Sequence, residues 1–277
     1  MFPFVPLCYT EGMNFESEHR PLHLREQRLP VAAGDCLTGL RMSLPALTDL
    51  LQEAAGCHAE DIGVGLPALQ ATGVTWMLGR LSVRLFAQPV WRDELLLTTW
   101  PSGVRGRLIA ERQFVIERAS DGTRIAEASS EWLCVSLETK KLARLPPAVA
   151  ALAHPDTPNF GLCLDKMPAA PAGTPVLDEI AFPVRRAEID ANRHVNNVHY
   201  LAWMRETLPE DRFFGDFPIR CDIEYRTAAT LGDTVTSRTF TPDPTDPNLY
   251  RHEILRADGT LLARAAERFA PRAKARR

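Results

Sequence analysis

Leu44, Leu47, Leu51, Ala54 and His58 recur at steps of three and four residues, the period of one helix face turned toward a core. The pattern predicts a helix over 43–58, with Gly56 falling late enough to fray its end. A second helical segment is predicted over 196–208, where Val198, Leu201 and Ala202 form the apolar stripe and Pro209 follows the end. After each helix the period shortens to that of extended chain. Residues 81–100 and 222–240 each run to an acid at a turn, Asp93 and Asp233, and then to β-prone residues such as Thr98, Thr99, Thr234 and Val235. Residues 112–136 and 251–270 each carry an Asp-Gly dipeptide, Asp121-Gly122 and Asp258-Gly259. Asp-Gly tolerates the positive φ of a two-residue hairpin, so both stretches are predicted as antiparallel ribbons.

The same order of elements thus occurs twice, which points to an internal repeat. One helix followed by about four long antiparallel strands implies an α+β domain in which a curved sheet wraps a central helix. Two unrelated α+β domains with common turn signals remain the alternative at this level. Between the copies, residues 142–176 hold seven prolines, which fix φ and remove amide donors. The expected division is a first domain over 20–145, a Pro/Ala-rich linker over 146–176 and a second domain over 177–272.

Charge and composition narrow the partners. Lys plus Arg number 32 against 35 Asp plus Glu, and this near balance lacks the basic excess of a nucleic-acid binder. No apolar run approaches the roughly 20 residues that cross a bilayer, so no membrane partner and a cytoplasmic location are expected. Six cysteines lie apart without a C-x-x-C pair, which predicts reduced, mostly buried thiols and no metal site. The scattered Trp residues are read as packing, and His58, His199 and His252 as surface or structural.

Chemistry concentrates in 188–206, EIDANRHVNNVHYLAWMRE, where a carboxylate, an amide and an imidazole precede a helix. Asp190, Asn192 and His194 alternate at a spacing of two, which in an extended segment puts all three on one side. Asn196 or Asn197 caps the helix that follows. Free N–H groups at a helix start polarise a carbonyl or hold an oxyanion, and a histidine supplies a base near neutral pH. A polar turn with a helix cap and a surface histidine would use the same residues.

The run D-A-N-R-H-V-N-N-V-H-Y from Asp190 to Tyr200 resembles the motif of plant and bacterial acyl-acyl carrier protein thioesterases. LQEAAGCHAEDIG, GVTWMLGRLSVRL, PVWRDELLLTTWPSG and a closing RLP in the first half resemble the same family. The resemblance implies two tandem hotdog domains and release of free fatty acid from acyl carrier protein, without a cofactor or metal. It implies that Asp190 holds the geometry and charge of the site, that Asn192 binds the carbonyl or the water, and that His194 moves the proton. Val195, Asn196 and Asn197 would then meet the substrate beside them, and Trp76 and Met77 would line the tunnel for the acyl chain.

One position departs from the family pattern. Alignment on Gly232-Asp233 puts Ala228 where many members carry an acid. Glu224 is four residues earlier, on the same face of a regular strand but about 13 Å away. TGLRM (38–42) offers the first half no counterpart to the motif, so one active site per chain is expected. There is no G-x-S-x-G elbow and no phosphate loop with its lysine. Hydrolysis of acyl-coenzyme A, hotdog dehydratase or hydratase chemistry and non-catalytic binding of acyl thioesters remain the competing functions, and a monomer and a homodimer are both compatible with two hotdogs in one chain.

Overall fold

The computed structural model describes residues 23–152, 157–163 and 167–272. In chain order the elements are β1 (Arg25–Pro30), β2 (Cys36–Leu37), β3 (Arg41–Met42), α1 (Leu44–Asp61), α2 (Leu66–Gln70), β4 (Val74–Leu85), β5 (Glu94–Arg105), β6 (Ile109–Arg118), β7 (Arg124–Ser136), β8 (Leu142–Ala143) and α3 (Pro147–Ala150). Then follow β9 (Val176–Pro183), α4 (Asn197–Arg205), α5 (Glu210–Gly215), β10 (Pro218–Tyr225), β11 (Thr234–Phe240), β12 (Leu249–Arg256) and β13 (Leu261–Phe269).

All the long strands join one antiparallel sheet in the order β1-β5-β6-β7-β4-β10-β13-β12-β11-β9. Read from either edge, the strands of the two halves follow the same sequence of roles. The first half runs β1, β5, β6, β7, β4, and the second runs β9, β11, β12, β13, β10. The halves meet where β4 pairs antiparallel with β10, from Arg80↔Glu224 to Arg84↔Arg220. The second copy therefore continues the sheet of the first, and α1 and α4 lie against each other on its concave face. Leu81 and Val83 of β4 and Cys221 and Ile223 of β10 share one core with both helices.

Helix α1 starts as its sequence predicts, with Ser43 accepting from the Ala46 amide at 3.2 Å. It does not fray at Gly56 but continues to Asp61. Leu44, Leu47, Leu51, Ala54 and His58 are all buried, so packing along this face carries the helix past its weak residue. In α4 the buried side differs from the predicted stripe: Tyr200, Leu201, Trp203, Met204 and Arg205 are buried, while Val198 and Ala202 are half-buried. The helix stops at Arg205 rather than Leu208.

The two Asp-Gly hairpins are present but longer than two residues. Arg118 N–H bonds Thr123 O and Arg256 N–H bonds Thr260 O, both at 2.9 Å. Gly122 (φ 69°) and Gly259 (φ 85°) take the left-handed position of a four-residue and a three-residue loop, respectively. In each, the Asp side chain accepts from the amide two residues on, at Thr123 and Thr260, a local bond that competes with the tighter turn.

The proline-rich stretch between the halves crosses the convex face strand by strand. Pro158 O accepts from Trp100 Nε1 on β5 (2.8 Å), Phe160 N–H bonds Gln113 on β6 (3.2 Å), Leu162 N–H bonds Ser129 on β7 (3.3 Å) and Leu162 O accepts from Arg220 on β10 (2.8 Å).

Candidate active site

The segment carrying Asp190, Asn192 and His194 is not an extended run but a closed loop. Ile189 and Val195 form an isolated antiparallel bridge, and between them Asp190 N–H bonds His194 O at 2.7 Å while Arg193 N–H bonds Asp190 O at 3.0 Å. Asp190 Oδ1 accepts from the amides of Asn192 (2.8 Å) and His194 (3.1 Å). A short acid that bonds the amide two residues on makes an Asx-type turn, which wins here over the extended conformation. The loop also needs a left-handed residue and takes it at Arg193, φ 64°. Its base is held by Val195 N–H on Ala229 O and by Asn196 N–H on Glu188 O, both at 2.9 Å. Asp190, Asn192 and His194 nonetheless converge, lining one cavity of about 540 Å³.

That cavity lies across the junction of the halves. The second half supplies residues of the 190–197 segment, Tyr200 and Tyr225–Ala228, and the first half supplies walls from α1, β4, β5, β6 and β7. Trp76 and Met77 are on the wall, as are Val195 and Asn197. Trp76 is anchored by Nε1 on Val64 O at 2.9 Å and meets Trp132 edge to face. Asn196 is the exception among the expected contact residues: it does not line the cavity but caps α4, its Oδ1 accepting from Val198 N–H at 3.4 Å. Capping uses the side-chain oxygen and turns it toward the helix rather than the opening.

Asn197 is the first residue of α4, and its N–H has no partner among the described residues. Its carbonyl accepts from Tyr225 Oη at 3.2 Å. Tyr200 Oη accepts from Ala229 N–H at 2.7 Å, and burial pushes the Tyr200 phenol up to about 12, so it stays protonated. His194 is exposed and Asn192 half-buried. No carboxylate bonds the side chain of either among the described residues.

Ala228 does face this cavity, with Arg226 and Thr227. Glu224 does not share its face. Strand β10 ends at Tyr225, so the regular alternation that would align 224 with 228 is broken. Cys221, Ile223 and Tyr225 point to the helices and Glu224 to the convex side, where it pairs with Arg80 (3.0 Å) and Arg226 (2.8 Å).

Sequence reasoning missed two residues of this region. Gln52 on α1 bonds both Asn196 and Asn197. Arg112 on β6 is a buried cation on the cavity wall whose Nη1 bonds Thr99 Oγ1 (3.1 Å) and His58 Nδ1 (2.9 Å). Burial lowers the His58 pKa to about 3 and that of Arg112 to about 10, leaving a neutral imidazole as acceptor for a charged guanidinium. His58 and His252 are both buried, in keeping with the structural of the two readings open to them. Gln52 falls within LQEAAGCHAEDIG, a stretch that resembles the family, and Arg112 in none of those stretches, but the partners of both are distant in the chain. Among the described residues no group of three or more His, Cys, Asp or Glu is placed to hold a metal ion, and no helix is long and apolar enough to cross a membrane.

A continuous sheet of two like halves, each curved around its own helix, defines a double hotdog fold. Solved structures share it: an acyl-ACP thioesterase from Bacteroides thetaiotaomicron superposes with a TM-score of 0.79 at 21% identity, covering 90% of this chain and 98% of that one. The 12:0-ACP thioesterase from Umbellularia californica gives 0.77 at 20% identity over 90% and 98%. Residues 24–153 match the family model of the acyl-ACP thioesterase N-terminal domain and residues 176–271 that of the C-terminal domain. The chain belongs to the acyl-ACP thioesterase family. Among curated relatives it is 25% identical to a chloroplastic oleoyl-acyl carrier protein thioesterase of Coriandrum sativum, over 71% of this chain and 57% of that protein. It is 26% identical to oleoyl-acyl carrier protein thioesterase 2 of Arabidopsis thaliana, over 74% and 59%. The alignments thus span less than two thirds of these relatives' length.

Proposed function

We propose that this chain hydrolyses the thioester of acyl-acyl carrier protein and releases the free fatty acid. The observation that carries the reading is the meeting on one largely apolar cavity of Asn192, His194 and Asn197, whose N–H has no partner among the described residues, in a member of this family. The acyl chain would lie in the first-half part of the cavity, against Trp76 and Met77. The carbonyl oxygen would accept from Asn197 N–H at the positive end of α4. Asn192 would bind that carbonyl or the attacking water. His194 takes a proton as water adds to the carbonyl carbon, and returns it to the sulfur as the carbon–sulfur bond breaks, leaving acid and thiol. Asp190 acts on this chemistry by holding the loop and placing a negative charge at its base. In this reading the 20–145 domain houses the chain, the 146–176 linker ties the halves and the 177–272 domain does the chemistry. The proposal includes a cytoplasmic location, whereas the plant relatives are named as chloroplastic.

Thiol release from one acyl chain carried on acyl carrier protein and on coenzyme A tests the reading. Faster turnover, by kcat/KM, on the carrier protein is expected; preference for the coenzyme makes the chain an acyl-CoA thioesterase. Ala228, in place of an acid on the cavity wall, favours one other reading, a catalytically weakened binder, which tight acyl-thioester binding without turnover would establish. His194→Ala should lower kcat by about 10²- to 10⁴-fold, as loss of a positioned acid or base does, with an unchanged melting temperature. Near-normal turnover in that variant would remove His194 from the mechanism.

A further inference from the structure

Helix α1 belongs to the first half of the sheet, and the loop and helix that carry the candidate chemistry belong to the second. Among the described residues, one side chain of α1 hydrogen-bonds across to them. Gln52 Nε2 donates to Asn196 Oδ1 at 2.9 Å, and Gln52 Oε1 accepts from Asn197 Nδ2 at 2.9 Å. The residue type is dictated by its partners. Asn196 Oδ1 is already an acceptor, because it caps α4 on Val198 N–H, so a side chain that bonds the same oxygen must donate. Asn197 Nδ2 carries only hydrogens, so its partner must accept. A carboxamide offers one of each. A carboxylate of the same length can satisfy Asn197 but faces Asn196 with a second acceptor, and a hydrocarbon satisfies neither.

The residue so held is the one at the start of α4 whose backbone N–H has no partner among the described residues. Asn197 is pinned at its side chain by Gln52 and at its carbonyl by Tyr225. Gln52 and Asn197 both line the cavity with Asn192 and His194. We infer that Gln52 is a positioning residue for thioester hydrolysis: from the first half it fixes the first turn of α4, and with it the Asn197 N–H that polarises the carbonyl. The site of the second half is then complete only against the helix of the first. This inference rests on the thioesterase reading.

The test compares the full-length chain with Gln52→Met, Gln52→Glu and Asn197→Asp, measuring kcat, KM and thermal melting with one acyl-carrier-protein substrate. Loss of one oxyanion donor costs about 10²- to 10³-fold in kcat, and a donor that is displaced rather than deleted should cost less, on the order of tenfold or more. The expected result is that fall in kcat for Gln52→Met and Gln52→Glu, with KM within about twofold because the acyl chain is held elsewhere. Asn197→Asp removes the side-chain hydrogens that Gln52 Oε1 accepts, breaking the same bond from the other side, and should lose kcat alike, so the outcome does not depend on one variant folding. A lower melting temperature with kcat per folded molecule unchanged would show a purely structural bridge and overturn the inference. So would a rise in KM alone, which would make Gln52 an acyl contact. An inactive wild type would remove the thioesterase reading and this inference together; an active wild type with unaltered variants would remove the inference alone.

Discussion

A methyl group stands on the cavity wall at Ala228, in the same lining as Asn192 and His194. The nearest acid in sequence, Glu224, is spent on Arg80 and Arg226 on the other side of the sheet. If the reaction lacks a carboxylate to accept the water's proton, supplying one should help. Ala228→Glu is expected to raise kcat severalfold or to move the pH optimum, read from a pH–rate profile against wild type; a fall at every pH would mean that the small residue itself is required. Asp190 shows how far the site could be read from the residues. The spacing of two suggests convergence on an extended chain; the three residues line one cavity from a closed loop instead, because alternation is visible in sequence whereas the closure of an acid on amides two and four residues ahead is a choice between conformers. Gln52 and Arg112 were out of reach for another reason: each acquires its role from a partner far along the chain.

Gly56 raises the same question for an element. A glycine within a helix costs about 1 kcal/mol relative to alanine, yet α1 runs through it for more than a turn. It lines the cavity, and a Cβ built there meets nothing within 4 Å. It lies one helical turn beyond Gln52, about 6 Å along the axis. In the proposed function that notch is room for the acyl chain. Gly56→Ala should therefore raise stability by about 0.5–1 kcal/mol, measured by denaturant unfolding. Gly56→Leu should lower kcat/KM for long acyl chains at least tenfold while short chains keep theirs. Equal losses at all lengths would place the effect on the helix and not on the notch. Local propensity alone predicts a frayed end at this glycine; the buried side chains beyond it, His58 and Ala59, supply what propensity lacks.

At the scale of the molecule, the repeat was legible because each half carries its own helix face and strand periods. The joining of β4 to β10 was not, since one edge pairing leaves no signature in either strand alone. The joined sheet also decides how surface charge can be tested against an acidic carrier protein. Arg185, Arg186, Lys140, Lys141 and Arg144 are all exposed, but they are not equivalent. Arg185 Nε donates to Glu188 Oε1 at 2.8 Å, and the same oxygen accepts from Trp203 Nε1 at 3.0 Å. Reversing Arg185 would set an anion against a buried carboxylate and disturb the base of the 190–195 loop through Asn196 N–H on Glu188 O. Arg186 has no ion pair among the described residues and lies next to it, so it is the cleaner probe. Arg186→Glu should lower kcat/KM for the carrier-protein substrate about fivefold or more at low salt, because complementary charge chiefly speeds encounter. The loss should shrink toward none as added salt shortens the screening length, with kcat little changed and a small neutral thioester unaffected. The paired reversal Lys140→Glu with Lys141→Glu, at the end of the first half, asks the same of the other candidate patch. Docking beside the 190–195 loop requires the salt-dependent loss at Arg186 and not at the lysines; the reverse pattern moves the carrier protein to the first half, and a loss that persists in high salt at either place removes steering as the cause.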